Sequence, residues 1–290
     1  MKINIPKYQY AEYLVDMVIK KISPACILES EGGLGKSYLV QSMVEEQIPE
    51  EYEYHSGHIT PLALYKKMYD QNGKVIILDD VEEVFSNNIS VGIMSPTLWK
   101  AKKTRIVSWG TTSDKLGNYP QKFEFKGGVI LLANRIPRKN DPKVRAIITR
   151  THYYRIELTY KEKMDIIKRI LDTEDFYQLA GVSLSKDDRE RLKFDLENNT
   201  SLVTKYFNFR TMVKMAMYYS YGKEYHSNQK DLHIRLHNAT TEIDEDKELI
   251  LSLIKKKLSV PQQVSQFSLI TGKSRASYFR VKKKLKEEMK

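Results

Sequence analysis

The stretch Glu29-Ser30-Glu31-Gly32-Gly33-Leu34-Gly35-Lys36-Ser37 constrains this chain more than any other. An apolar run, Ala25-Cys26-Ile27-Leu28, precedes it, and Tyr38-Leu39-Val40-Gln41-Ser42-Met43-Val44 follows with the pattern of a helix. Strand, glycine loop, Lys-Ser and helix is the layout of a phosphate-binding loop. Glycines let backbone N–H groups turn toward phosphates with no side chain in the way, and the helix N-terminus adds the positive end of its dipole. Gly32, Gly33, Leu34, Gly35, Lys36, Ser37 and Tyr38 are therefore the candidate nucleotide-binding residues. Lys36 is placed for the β- and γ-phosphates and Ser37 for Mg²⁺. The sequence departs from G-x-x-x-x-G-K-[ST] at its first position, where Ser30 stands. Gly32 and Gly33 are expected to keep the loop flexible.

Two later segments supply chemistry that such a loop lacks. Lys74-Val75-Ile76-Ile77-Leu78-Asp79-Asp80 is an apolar run ending in two carboxylates, the pattern of a buried parallel strand with acids at its C-terminal edge. Asp79 is expected to hold Mg²⁺ through water, and Asp80 to orient or deprotonate the attacking water. Gly127-Gly128-Val129-Ile130-Leu131-Leu132-Ala133-Asn134 repeats the design, with Asn134 at the tip to help place the same water. Residues 153–158 form the next candidate strand. Strands separated by helical stretches predict an α/β sheet with ligands at the carboxyl ends of its strands. Thr104–Trp109 and Lys122–Phe125 flank a turn-rich stretch and predict a hairpin or strand insertion. From residue 160 the periodicity is helical, over 160–172, 174–180, 187–197 and 208–220. Residues 222–243 are polar, rich in His and Asn, and expected to form a linker or irregular bridge.

The net charge of +11 is unevenly spread. Residues 249–290 hold eleven Lys/Arg against two acids, a net of +9, and leave +2 for all the rest. Nucleic acid is therefore expected at the C-terminal end. That end has the pattern of a helix-turn-helix. A helix over 245–257 turns Leu249, Ile250, Leu253 and Ile254 inward, and a second carries Val264 and Phe267. Gly272 allows the turn, and Ser274 caps the third helix. Ala276, Phe279 and Leu285 are expected in its core. Lys273, Ser274, Arg275, Ser277, Tyr278, Arg280, Lys282, Lys283 and Lys284 are the candidate DNA contacts. No apolar run approaches the ~18 residues of a membrane span. The N-terminus has no secretory apolar stretch, and Cys26 is the only cysteine. These features predict a cytoplasmic protein without disulfides. The histidines show no ligand spacing, and His55 and His58 are expected in a loop.

Three arginines complete the pattern. Arg150 precedes the 153–158 strand, where it can project onto a neighbouring subunit's γ-phosphate, with Arg145 as its competitor. Arg210 begins the last helix of the helical block. Taken in order, these motifs resemble the AAA+ ATPase family over roughly residues 8–222. The resemblance implies a P-loop αβα base domain (1–158) and a helical lid (159–222), followed by a linker (223–243) and a small all-α helix-turn-helix domain (244–290). It implies ATP and Mg²⁺ as ligands, assembly into a homo-oligomeric ring or filament, and no membrane. In its terms Asn134 is a sensor 1, Arg150 an arginine finger and Arg210 a sensor 2, which with Asp80 make the catalytic set. The Asp-Asp pair resembles the replication-initiator and helicase-loader branch. His55–Pro61 and Ala133–Pro137 resemble AAA+ proteins of phages and mobile elements. The implied function is an ATPase assembling on DNA as an initiator or loader, with a replicative helicase as a further partner. Two alternatives stand beside it. One is a hexameric helicase or translocase whose 109–122 insertion grips DNA through Lys115 or Lys122. The other is a DNA-binding regulator switched by nucleotide.

Overall fold

A computed structural model describes residues 5–99, 104–110, 114–173 and 180–289. The chain divides between residues 157 and 158 into two compact units.

The first unit is built on β1 (Ala25–Ser30), β2 (Tyr52–Ser56), β3 (Val75–Asp79), β6 (Gly128–Ala133) and β7 (His152–Ile156). They form one parallel sheet in the order β2-β3-β6-β1-β7. Every residue of β1, β3 and β6 is buried. Continuous Val/Ile/Leu runs suit strands covered on both faces. β2 and β7 lie at the edges and are only partly buried, so polar residues are tolerated along them. β2 has no apolar run to announce it, and His55, expected in a loop, is its fourth residue.

α1 (Pro6–Ile19) leads into the first strand, and the crossovers carry α2 (Lys36–Gln47), α3 (Pro61–Asp70), α4 (Glu83–Ser86), α5 (Asn88–Met94) and α6 (Pro142–Arg150). Thr60 caps α3 and Asp141 caps α6, each followed by proline at the first helical position, where its missing N–H costs nothing. The expected insertion is a separate antiparallel pair, β4 (Ile106–Ser108) with β5 (Lys122–Glu124). The chain leaves β1, crosses to the far edge at β2, and works back inward. The carboxyl ends of β3, β6 and β1 are therefore neighbours at the point where strand order reverses.

The second unit is helical. It begins with α7 (Tyr160–Asp172), α8 (Lys186–Asn199), α9 (Phe209–Tyr225) and α10 (Leu232–Thr240). Capping boxes open α7 at Thr159/Glu162, α8 at Ser185/Asp188 and α9 at Asn208/Thr211. The helix expected over 174–180 falls almost wholly outside the described residues. α10 lies within the stretch expected to be irregular. Its inward positions are His233 and His237, both buried, so polar letters hide a helical stripe. His233 is tolerated there because its Nε2 lies 2.8 Å from Asp195 Oδ2.

Last come α11 (Glu245–Lys255), α12 (Val260–Thr271) and α13 (Arg275–Glu288), packed on Ile250, Leu253, Phe267, Tyr278 and Leu285. Among the described residues no helix is long and apolar enough to cross a membrane.

Candidate functional site

The loop after β1 takes the conformation its glycines permit. Gly33 and Gly35 both sit at φ 78°, in the left-handed region, and α2 begins with no side chain capping its N-terminus. Its N-cap is Gly35, which has no side chain to accept from the first turn, the arrangement that receives an anion. Ser30 needs no glycine-like freedom, because it is the last residue of β1. Its hydroxyl instead accepts a 2.9 Å hydrogen bond from Lys36 Nζ. From α1, Tyr8 is fully buried and donates a 2.5 Å hydrogen bond to the carbonyl of Leu34, pinning the loop from behind.

Lys36 is buried, and its ammonium is held by oxygens at the strand ends. It donates to the Ser30 carbonyl at 3.0 Å and to Asn134 Oδ1 at 3.2 Å. Asn134 in turn donates through Nδ2 to Asp80 Oδ1 at 2.7 Å. One continuous chain, Lys36–Asn134–Asp80, therefore joins the first residue of α2 to the residues that follow β6 and β3. Asn134 is fixed from a second side, since its backbone N–H donates to Glu82 Oε1 at 2.8 Å. Asp79 is buried at the end of β3, whereas Asp80 is exposed and has a backbone φ of 53°. A non-glycine residue in that region is strained, and such strain gathers at functional sites. Partial desolvation of the carboxyl against its neighbours, then the charges of Asp79 and Glu82, push Asp80 above the usual carboxylate range although the residue as a whole is exposed. The Asn134 hydrogen bond and the Lys36 charge oppose them.

The residues fit a nucleotide with Mg²⁺. Mg²⁺ keeps several waters and needs only one or two protein ligands beside phosphate oxygens. Ser37 and Asp79 supply a hydroxyl and a carboxylate, and the Asp79 carboxylate accepts from the phenol of Tyr54. Sequence reasoning misses Tyr54 and Glu82. Their signals are faint: a tyrosine at alternate positions of a polar edge strand, and an acid two residues after Asp80.

The buried carboxylate of Glu29 fastens the loop that follows Asn134. It accepts from Lys139 Nζ at 2.7 Å, from Tyr153 Oη at 3.3 Å and from the Ile136 N–H at 3.4 Å. That loop leads into α6, whose exposed residues include Arg145 and, at its last position, Arg150. Arg150 donates to Ser95 Oγ. Arg210 belongs to the second unit, exposed in the first turn of α9.

In the basic module Gly272 takes φ 68° to end α12, and Ser274 caps α13 by accepting from the Ser277 N–H. The side chains of α13 are turned differently from the expectation. Tyr278 is not on the outer surface. It is fully buried, and its phenol donates to Gln263 Oε1. Phe279, expected in the core, is exposed, and Ala276 is not among the buried residues either. Positions 278, 281 and 285 form the inward stripe, and a helix of 3.6 residues per turn cannot also bury 276 and 279. Lys282 is drawn inward with them, donating to Gln263 Oε1 at 3.0 Å and to Tyr278 Oη at 2.9 Å. Arg275, Arg280, Lys283 and Lys284 remain at the surface, with the Arg275 guanidinium over the Phe279 ring. Lys273 is exposed and paired with Asp246 at 2.6 Å.

No protein-family model matches the chain, and no curated protein matches it in sequence. Its structure resembles solved ones. NtrX from Brucella abortus, in complex with ADP, aligns with a TM-score of 0.50 at 11% identity, over 98% of this chain and 69% of that one. The RuvB Holliday junction branch migration motor of Thermotoga maritima aligns at 0.47 and 12% identity, over 92% and 81%. AMPPCP-bound DnaA from Aquifex aeolicus aligns at 0.41 and 14% identity, over 99% and 90%. The fold is that of the AAA+ P-loop ATPases.

Proposed function

We propose that this chain binds ATP with Mg²⁺ at the ends of β1, β3 and β6, hydrolyses it, and assembles through it on DNA. The observation that carries this reading is the hydrogen-bonded chain Lys36–Asn134–Asp80. Lys36 is a buried cation beside the uncapped helix that would face the phosphates. Asp80 is the carboxylate whose raised proton affinity suits a base for the attacking water. Asn134 ties the two, so the base keeps its place relative to the phosphate-binding lysine. Ser37 and Asp79 would hold Mg²⁺, which would neutralise charge between the β- and γ-oxygens.

Arg150, exposed at the end of α6, is the residue proposed to reach a neighbouring subunit's γ-phosphate, and Arg210 the sensor on the helical unit. Homo-oligomerisation follows from that finger. The basic α11–α13 module is proposed to meet DNA through Lys273, Ser274, Arg275, Ser277, Arg280, Lys283 and Lys284. The Asp79-Asp80 pair supports a replication initiator or helicase loader of a phage or mobile element. A second reading, a translocase, is favoured by the β4–β5 hairpin, which exposes Lys122. ATPase rate and particle size, measured with and without DNA, test the proposal. Nucleotide-dependent growth in size with DNA-stimulated turnover supports it, and a monomer without turnover overturns it. Strand displacement by the protein alone would select the translocase.

A further inference from the structure

Tyr54 stands in the middle of β2, whose register sets Tyr54 beside Ile77 and Ser56 beside Asp79. Its phenol donates a hydrogen bond to Asp79 Oδ2. Asp79 is almost wholly buried and Tyr54 is half-buried, so water competes little for this bond. One neutral side chain, from an edge strand, therefore holds the carboxylate assigned to the cation.

We infer that Tyr54 is a positioning residue for Mg²⁺, holding the Asp79 carboxylate in the arrangement the ion requires. The inference rests on the nucleotide-site reading above. A carboxylate has two oxygens. Fixing one by a hydrogen bond restrains its rotation and leaves the other for the cation's water shell. Without the phenol, Asp79 regains side-chain freedom. Mg²⁺ demands near-ideal octahedral geometry, so it is the ion most sensitive to such loosening. Outer-shell partners of this kind cost about 10–100-fold in metal affinity when removed.

The test is a binding titration on the full chain with a fluorescent ATP analogue, first in EDTA and then with rising Mg²⁺. Tyr54→Phe should bind the analogue in EDTA as the wild type does, yet need about tenfold more Mg²⁺ for half-maximal enhancement. Tyr52→Phe, two residues away on the same strand, should match the wild type in both. Equal melting temperatures for the three proteins establish that Tyr54→Phe is folded. If the wild type binds with Mg²⁺ and Tyr54→Phe has the same or a lower half-saturation, the positioning role is wrong while the site stands. If the wild type binds no nucleotide under either condition, the site reading itself fails.

Discussion

Asp80 concentrates the chemistry at the residue scale. Its backbone is in the left-handed region at φ 53°, and its carboxyl is crowded by Asp79 and Glu82. Asparagine tolerates that backbone conformation and matches aspartate in size, so Asp80→Asn removes the proposed base without disturbing the turn. The variant should keep ATP affinity and lose turnover by about 10²–10⁴-fold, the usual contribution of a positioned base, as read by phosphate release. Asp80 must be ionised to act. Because its pKa is raised, the acid limb of the rate should lie above an ordinary carboxylate's. A like charge disfavours ionisation, so Glu82→Gln lowers the Asp80 pKa and should move that limb to lower pH, as seen in a pH–rate profile. The amide oxygen of the substituted side chain still offers an acceptor to the Asn134 N–H.

At the scale of elements, buried polar groups decide what holds. Asp188 closes the capping box of α8 and also accepts from Lys223 and Tyr219. Burial alone would raise its pKa. The hydrogen bonds from Lys223, Ser185 and Tyr219 outweigh burial and hold it at about 2. A depressed carboxylate stabilises the folded state above its unfolded pKa of about 4, and that stability is lost as pH falls through about 2. Asp188→Ala should therefore destabilise the helical unit by about 2 kcal/mol at neutral pH. The gap from wild type should close between about pH 4 and about pH 2 in urea melts.

The same polar groups explain where the sequence was hard to read. β1, β3 and β6 announce themselves by unbroken apolar runs. β2 does not, because an edge strand shares its backbone bonds with one neighbour and leaves half its side chains wet. α10 buries two histidines where a periodicity scan looks for leucine. In α13 both Tyr278 and Phe279 are aromatic, and composition cannot say which faces inward. The buried Gln263 settles it by offering a partner that only a tyrosine hydroxyl can use. At the proposed site, Lys36, Asp80 and Asn134 stand out in the sequence by their motifs, and the fold joins them in one hydrogen-bonded chain. Tyr54 reaches Asp79 only once the strands are assembled.

At the scale of the whole molecule, assembly and DNA binding can each be tested. A finger supplied in trans means that Arg150→Ala binds ATP without hydrolysing it. Mixing it with Lys36→Ala should restore turnover, since each protein supplies what the other lacks. Absence of rescue, with Arg145→Ala giving rescue instead, would move the finger to Arg145. The basic C-terminal module should carry DNA affinity, with log K falling against log salt at a slope of roughly −4 to −5 for about five neutralised phosphates. Lys283→Ala and Lys284→Ala should each flatten that slope by about one unit. Lys282→Ala should instead lower thermal stability, because its ammonium serves the core.

The most direct measurement is equilibrium ATP binding with Mg²⁺ by the wild type and by Lys36→Ala, at equal fold content. Lys36 is the cation on which the loop, β1 and Asn134 converge. The account predicts saturable binding by the wild type and a loss of at least about 100-fold in the variant, the ~3 kcal/mol of a buried charge-assisted hydrogen bond. Equal affinity in the two proteins would contradict it.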